Sequence, residues 1–227
     1  MKKLVVALLL PALILVPAPI SVAQNNTISA EWMDTLNRIR PSVALLQNVH
    51  HGFDGEFHEN RCTAFSINQK ERFYATVAHC VDDSFDLKVG GKEAVILVID
   101  KKYDLAVVRV YGGDAPAIPL ADTIEESTWK PDQTLDWCSE MGGGGFANGN
   151  TIPTAMMGCT VYANIYADKW ERSFGWFSTN FVEGMSGGPV VNKEGKLISI
   201  IQVTNPPFGG GGATLGDLKE KLGKYWE

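Results

Sequence analysis

The sequence predicts an all-β protein made of two packed antiparallel barrels, with one short helix before them and another after. Three observations carry this expectation. Short apolar strands bounded by turn residues fall into two clusters, about 40–120 and 130–213. The stretch 114–134 between them is rich in Pro, Asp and Glu. Helical spacing is confined to the two ends, so alternating βα units are not available to build a parallel sheet.

Taken in order, Ser29 can cap a helix that runs to Arg38, with Trp32, Met33 and Leu36 on one side, and Pro41 ends it. The first cluster reads as strands Val43–Leu46, Cys62–Ile67, Phe73–Val77, Phe85–Val89, Ala94–Ile99 and Leu105–Val110. Gly90-Gly91 and Gly112-Gly113-Asp114 supply turns among them. The second cluster reads as Leu135–Met141, Ala155–Ile165, Gly175–Thr179, Pro189–Val191 and Leu197–Val203. Leu215, Leu218 and Leu222 recur at helical spacing in a closing helix to about Tyr225. The runs Gly142–Gly145 and Gly209–Gly212 are expected to be flexible loops. Neither sits between a strand and a helix with the Lys-Ser/Thr that a phosphate cradle needs.

A hydrophobic content of 45% and 23 glycines in 227 residues fit a folded, turn-rich chain and exclude a disordered one. The net charge of −6, with no basic run, argues against a nucleic-acid partner. Residues 1–23 read as a secretory signal: Met1-Lys2-Lys3, an apolar run from Leu4 to Ile20, then Ser21-Val22-Ala23. Pro11, Pro17 and Pro19, and a run short of the roughly 20 residues a span needs, oppose an anchor helix. Cleavage between Ala23 and Gln24 leaves a mature chain, 24–227, expected to be periplasmic or secreted without stable membrane association. Losing Lys2 and Lys3 sets 18 basic residues against 26 acidic ones, a net charge of −8. Cys62, Cys80, Cys138 and Cys159 are an even set for an oxidising compartment, with three possible pairings. A zinc site from His50, His51, His58, Cys62, His79 and Cys80 is disfavoured, because those spacings match no standard zinc pattern.

The chemistry centres on Gly184-Met185-Ser186-Gly187-Gly188-Pro189. Glycines on both sides let the backbone turn sharply, project a serine and converge N–H groups on one point. An α/β-hydrolase nucleophile elbow has a similar pattern but needs its histidine after the serine, and all four histidines here precede Ser186. The serine needs a base. His79, in Ala75-Thr76-Val77-Ala78-His79-Cys80, ends an apolar strand, whereas His50, His51 and His58 fall in a polar, solvated loop. The base needs an orienting carboxylate, and Asp104 opens the apolar strand Leu105-Ala106-Val107-Val108.

Ala78-His79-Cys80, Asp104-Leu105-Ala106-Val107 and Gly184-Met185-Ser186-Gly187-Gly188-Pro189 together resemble the signature blocks of trypsin-like serine peptidases, in that family's order. The likeness spans Arg38 to Ala213 and is nearer to the bacterial HtrA (DegP-like) protease domain, whose opening strand Arg40-Pro41-Ser42-Val43-Ala44 resembles. Ile118-Pro119-Leu120-Ala121-Asp122 is similar to that family's segment after the Asp strand. The resemblance implies two six-stranded chymotrypsin-like barrels and a serine endopeptidase that needs no metal or organic cofactor. It implies His79, Asp104 and Ser186 as the triad, the N–H groups of Gly184 and Ser186 as the oxyanion hole, and protein or peptide substrates. It also implies a Cys62–Cys80 disulfide, and leaves Cys138 and Cys159 to bridge strands of the second barrel.

The departures from the family matter equally. Only a short helix follows Ala213, so control through a PDZ domain is expected to be absent. Asn180, six residues before Ser186, stands where trypsin has an acidic residue, so an uncharged P1 side chain is expected unless Glu183 intrudes. Met185 precedes the serine where trypsin has the aspartate that pairs with a freed N-terminal amine, so protein starting at Gln24 is expected to be active untrimmed. The competing reading is a catalytically silent binding module on the same fold.

Overall fold

In a computed structural model that describes residues 30–52, 54–122, 138–147, 150–159, 161–168, 171–177, 184–204 and 209–226, six strands of the first half close into a barrel. They are β1 (Val43–His51), β2 (Phe57–Asn68), β3 (Phe73–Thr76), β4 (Ser84–Val89), β5 (Lys92–Asp100) and β6 (Leu105–Val110). Around the barrel they run β1-β2-β3-β6-β5-β4, each neighbouring pair antiparallel. The sequence explains which strands lie deepest. Cys62–Ile67 in β2 and Leu105–Val108 in β6 are buried without alternation, the mark of strands covered on both faces. Leu46, Phe65, Ile67 and Val107 belong to one core that continues from the barrel into Val191, Leu197 and Ile200. By contrast β5 exposes Val95, Ile96 and Leu97 at 37–40%.

The expected second barrel is, among the described residues, an open seven-stranded sheet. Its strands are β7 (Cys138–Ala147), β8 (Asn150–Cys159), β9 (Val161–Ala167), β10 (Arg172–Phe177), β11 (Pro189–Val191), β12 (Leu197–Thr204) and β13 (Gly210–Gly212). Their order is β8-β7-β11-β12-β13-β10-β9, and no ladder joins the outermost pair, β8 and β9, among the described residues. The stretch read as a single strand, Ala155–Ile165, is divided between β8 and β9, which go to opposite edges. Alternation of apolar residues cannot register such a crossing, because both pieces share one period. Gly142–Gly145 and Gly210–Gly212 of the two glycine runs are also strand rather than loop. Gly142–Gly145 spans a register shift between β7 and β8. In β13, Gly212 passes so close to β12 that a Cβ would strike the Ile200 carbonyl.

The stretch after β6 is more ordered than its composition suggests. Ile118 is buried and its N–H donates to Ser66 O (2.9 Å), while Leu120 bridges Leu197 and Pro119 O accepts from Leu197 N (2.8 Å). This strap joins the halves; 123–134 lies outside the described residues. Helix α1 (Ala30–Ile39) buries Leu36 and Ile39, and its Thr35 and Arg38 donate to the carbonyls of Lys193 and Glu194. Helix α2 (Leu215–Leu222) buries Leu215, Leu218 and Leu222 and begins with a capping box between Thr214 and Asp217. No helix among the described residues is long and apolar enough to cross a membrane.

Candidate active site

His79 sits in a 3-10 turn, Ala78–Cys80, directly after β3. The turn buries Ala78 and Cys80 and leaves His79 exposed between them, because consecutive residues of a tight turn point different ways. Two restraints hold it. Cys80 is disulfide-bonded to Cys62 of β2, closing 18 residues, which the chain-entropy relation values at about 3 kcal/mol. Buried Asn48 of β1 donates to Cys80 O (3.1 Å).

Asp104 ends the turn between β5 and β6, and its backbone is left-handed, φ +50°. For an L-residue that conformation costs about 1–2 kcal/mol. It delivers a carboxylate whose two oxygens reach one residue: Oδ1 accepts from the His79 backbone N–H (2.9 Å) and Oδ2 lies 2.8 Å from His79 Nδ1. A carboxylate only accepts, so Nδ1 carries the proton of the neutral ring and Nε2 is left as its basic atom.

Ser186 comes from the other half, in the turn before β11. Gly184 and Gly187 are left-handed, at φ +90° and +84°, and the Gly188 N–H closes the turn onto Met185 O (2.8 Å). Gly187 admits no side chain, since a Cβ there would strike the Thr63 carbonyl and the Thr76 hydroxyl. Met185 is fully buried and Ser186 half-buried. The N–H groups of Gly187 and Gly188 are spent on Ile201 and Met185, whereas those of Gly184 and Ser186 have no hydrogen-bond partner among the described residues. No hydrogen bond joins Ser186 Oγ to His79 among the described residues either. Contacts of this kind commonly tighten only with substrate in place.

The trypsin-like peptidase domain family model matches residues 62–200. The chain belongs to that family. Two solved structures share its architecture. The Rv3671c protease of M. tuberculosis in its active form is 20% identical, with a TM-score of 0.65 over 84% of this chain and 83% of that one. The inactive form of the Rv3671c protease has the same identity and TM-score, over 84% and 92%. At this identity the likeness establishes the fold. No curated protein sequence matches the chain.

In this trypsin-like domain the histidine and aspartate expected from sequence meet directly, and the Cys62–Cys80 pairing is present. The same disulfide takes both sulfurs away from any metal at the Cys62, His79, Cys80 cluster. Asn180 and Glu183 lie outside the described residues. The backbones of Cys138 and Cys159 are register partners on β7 and β8. His50, His51 and His58 belong to the ends of β1 and β2 rather than to a loop, with His50 opposite His58, and His58 Nε2 lies against both oxygens of Asp54.

Sequence reasoning missed Thr63. This fully buried β2 residue reaches from the barrel to the serine turn, its N–H donating to Ser186 O (2.8 Å) and its hydroxyl to Gly184 O (2.7 Å). Its one sequence signal was a polar side chain inside an apolar run.

Proposed function

We propose that the chain is an exported serine endopeptidase that works through Ser186, His79 and Asp104. The observation that carries this reading is the double grip of Asp104 on His79, on the ring and on the backbone N–H, in a domain of the trypsin-like family. In the proposed reaction Ser186 Oγ attacks a peptide carbonyl carbon while His79 Nε2 takes the hydroxyl proton. The negative oxygen of the tetrahedral intermediate is received by the N–H groups of Gly184 and Ser186, each worth about 3–4 kcal/mol in comparable sites. His79 then gives its proton to the departing amine as the C–N bond breaks, leaving an acyl-serine. Water, deprotonated by His79, attacks that ester and releases the acid, and the proton returns to Ser186.

Several features fit export of this enzyme. Residues 1–23 carry the signal pattern, and a disulfide beside His79 suits an oxidising compartment. The register pairing of Cys138 with Cys159 supports a second disulfide between them. Activation without trimming is supported by Met185, which is buried and uncharged, and by the Thr63 bonds that brace the turn around it. Asn180 is proposed to favour an uncharged P1 residue.

The test is fluorophosphonate labelling of mature protein beginning at Gln24. Wild type is expected to label, and Ser186→Ala and His79→Ala to lose the signal by about 10⁴-fold or more. Absence of labelling in folded wild type would instead favour the silent binding module.

A further inference from the structure

Beneath Asp104 lies a buried cation that the proposed reaction does not use. Arg172, at the start of β10, is 6% exposed, and Gln202, on β12, is 4% exposed. Arg172 Nη1 donates to Tyr103 O (2.6 Å) and Nη2 to Gln202 Oε1 (3.0 Å). Gln202 Nε2 donates in turn to Tyr103 O (2.7 Å) and to Asp104 O (2.9 Å). The arginine thereby decides which way the Gln202 amide faces: with Oε1 held by a donor, the NH2 group must point at the Tyr103–Asp104 peptide carbonyls.

We propose that Arg172, working through Gln202, is a positioning residue that holds the left-handed turn at Asp104 so that both carboxylate oxygens meet His79. This deepens the reading of Asp104 as the orienting carboxylate and rests on it. Three features support the assignment. Asp104 occupies a backbone conformation that side-chain-bearing residues avoid, and the two carbonyls flanking that strained step are the ones Arg172 and Gln202 engage. The restraint crosses between halves, from β10 and β12 of the open sheet to the barrel, so it also sets where the Asp104 turn sits relative to the half that bears Ser186.

The third feature is the charge itself. No carboxylate pairs with Arg172 among the described residues; its acceptors are a carbonyl and an amide, and its guanidinium lies 4.1 Å from the centroid of Phe174. Its Nε is a buried donor without a partner. Burial pushes the guanidinium below its ordinary value, and the nearby charge of Asp104 is the largest influence opposing that. An arginine placed this way is a poor device for stability, since apolar residues of like volume fill such a site at less cost. As a rigid fork set against a strained turn it has a use that an apolar residue lacks.

The experiment compares mature wild type with Arg172→Met and Gln202→Met, both close to the native volume. Two readouts are taken on each: the NMR resonance of the His79 Nδ1 proton, which reports the bond to Asp104, and the rate of fluorophosphonate labelling. Each variant is expected to weaken or displace that resonance and to slow labelling by about 100-fold, the scale of a 1 Å misplacement. The loss should not follow the thermal midpoint. If Arg172→Met fails to fold, Gln202→Met decides, because it leaves the cation in place and removes only the relay. Variants that fold with the wild-type resonance and labelling rate overturn the proposal. If wild type itself does not label, the peptidase reading fails; a resonance that still moves in the variants then upholds the positioning, and one that does not overturns it.

Discussion

The two halves of the molecule solve the same packing problem differently. The first closes on itself: every strand of β1–β6 is laddered on both sides, and β2 and β6 bury runs of Phe, Ile, Leu and Val. The second, among the described residues, stays open and uses glycine where β12 and β13 press together. Consequently the partner pair His79 and Asp104 rides on the closed barrel, with the Asp104 turn also held from the open sheet by Arg172 and Gln202. The Ser186 turn is braced from outside its own sheet, by Thr63 of that barrel. What the difference teaches is that placing the nucleophile depends on contacts between the halves as well as on the sheet that carries it.

The largest test of this contrast is Phe65→Ala. Phe65 is fully buried in the barrel, and its truncation is expected to cost about 3–5 kcal/mol in denaturant unfolding. In the same protein, amides of β2, β3 and β6 should be the slowest to exchange and those of Gly210–Gly212 faster. Equal protection in the two regions would end the distinction between a scaffold half and a braced half. A smaller effect is expected from Thr63→Val, which leaves the buried Gly184 carbonyl without its hydroxyl donor, a loss of about 1–3 kcal/mol. Felt at the serine turn, it should slow fluorophosphonate labelling by about tenfold or more, while Thr63→Ser stays near wild type. Equal rates for Val and Thr would show that the Thr63 hydroxyl does not brace the serine turn.

The smallest effect concerns the far end of the barrel, where Asp54 faces His58. The hydrogen bond from His58, then that from the Glu56 N–H, holds the Asp54 carboxyl below its ordinary value. A lowered folded value means the contribution is present above the unfolded value and is lost as the pH falls through the folded one. Asp54→Asn should therefore melt slightly below wild type at neutral pH and converge with it on acidification. A gap that persists at low pH would show that the pair contributes nothing through its charge.

Much of this arrangement was legible in the sequence, for identifiable reasons. Barrel strands announced themselves because doubly covered strands are continuous apolar runs, and Leu105–Val110 was placed to the residue. His79 and Asp104 stood out as polar residues interrupting such runs, and their meeting is observed. The second half resisted because β7 and β13 are glycine-rich and β11 and β13 are only three residues long. Gly210–Gly212 has no side chain with which to declare a strand, and one of its two partners, β10, is distant in sequence. Ends were underestimated where charge hid the strand, as at Phe57-His58-Glu59-Asn60, which extends β2 along β1. Arg172 was invisible for a related reason: beside Glu171, in a turn, an arginine reads as solvated until the sheet folds over it.

The bond from Thr63 to Gly184 spans 121 positions of the chain, and it bears on timing during synthesis. A ribosome releases His79 and Asp104 first, long before Ser186 and the Gln202 that braces the Asp104 turn emerge. Until the later sheet is made and docks, the growing chain holds a base with no nucleophile to serve. On the proposed reading, the nascent polypeptide is thus harmless to itself and to its neighbours. Cutting ability arrives in one step, with the last contact rather than with the first.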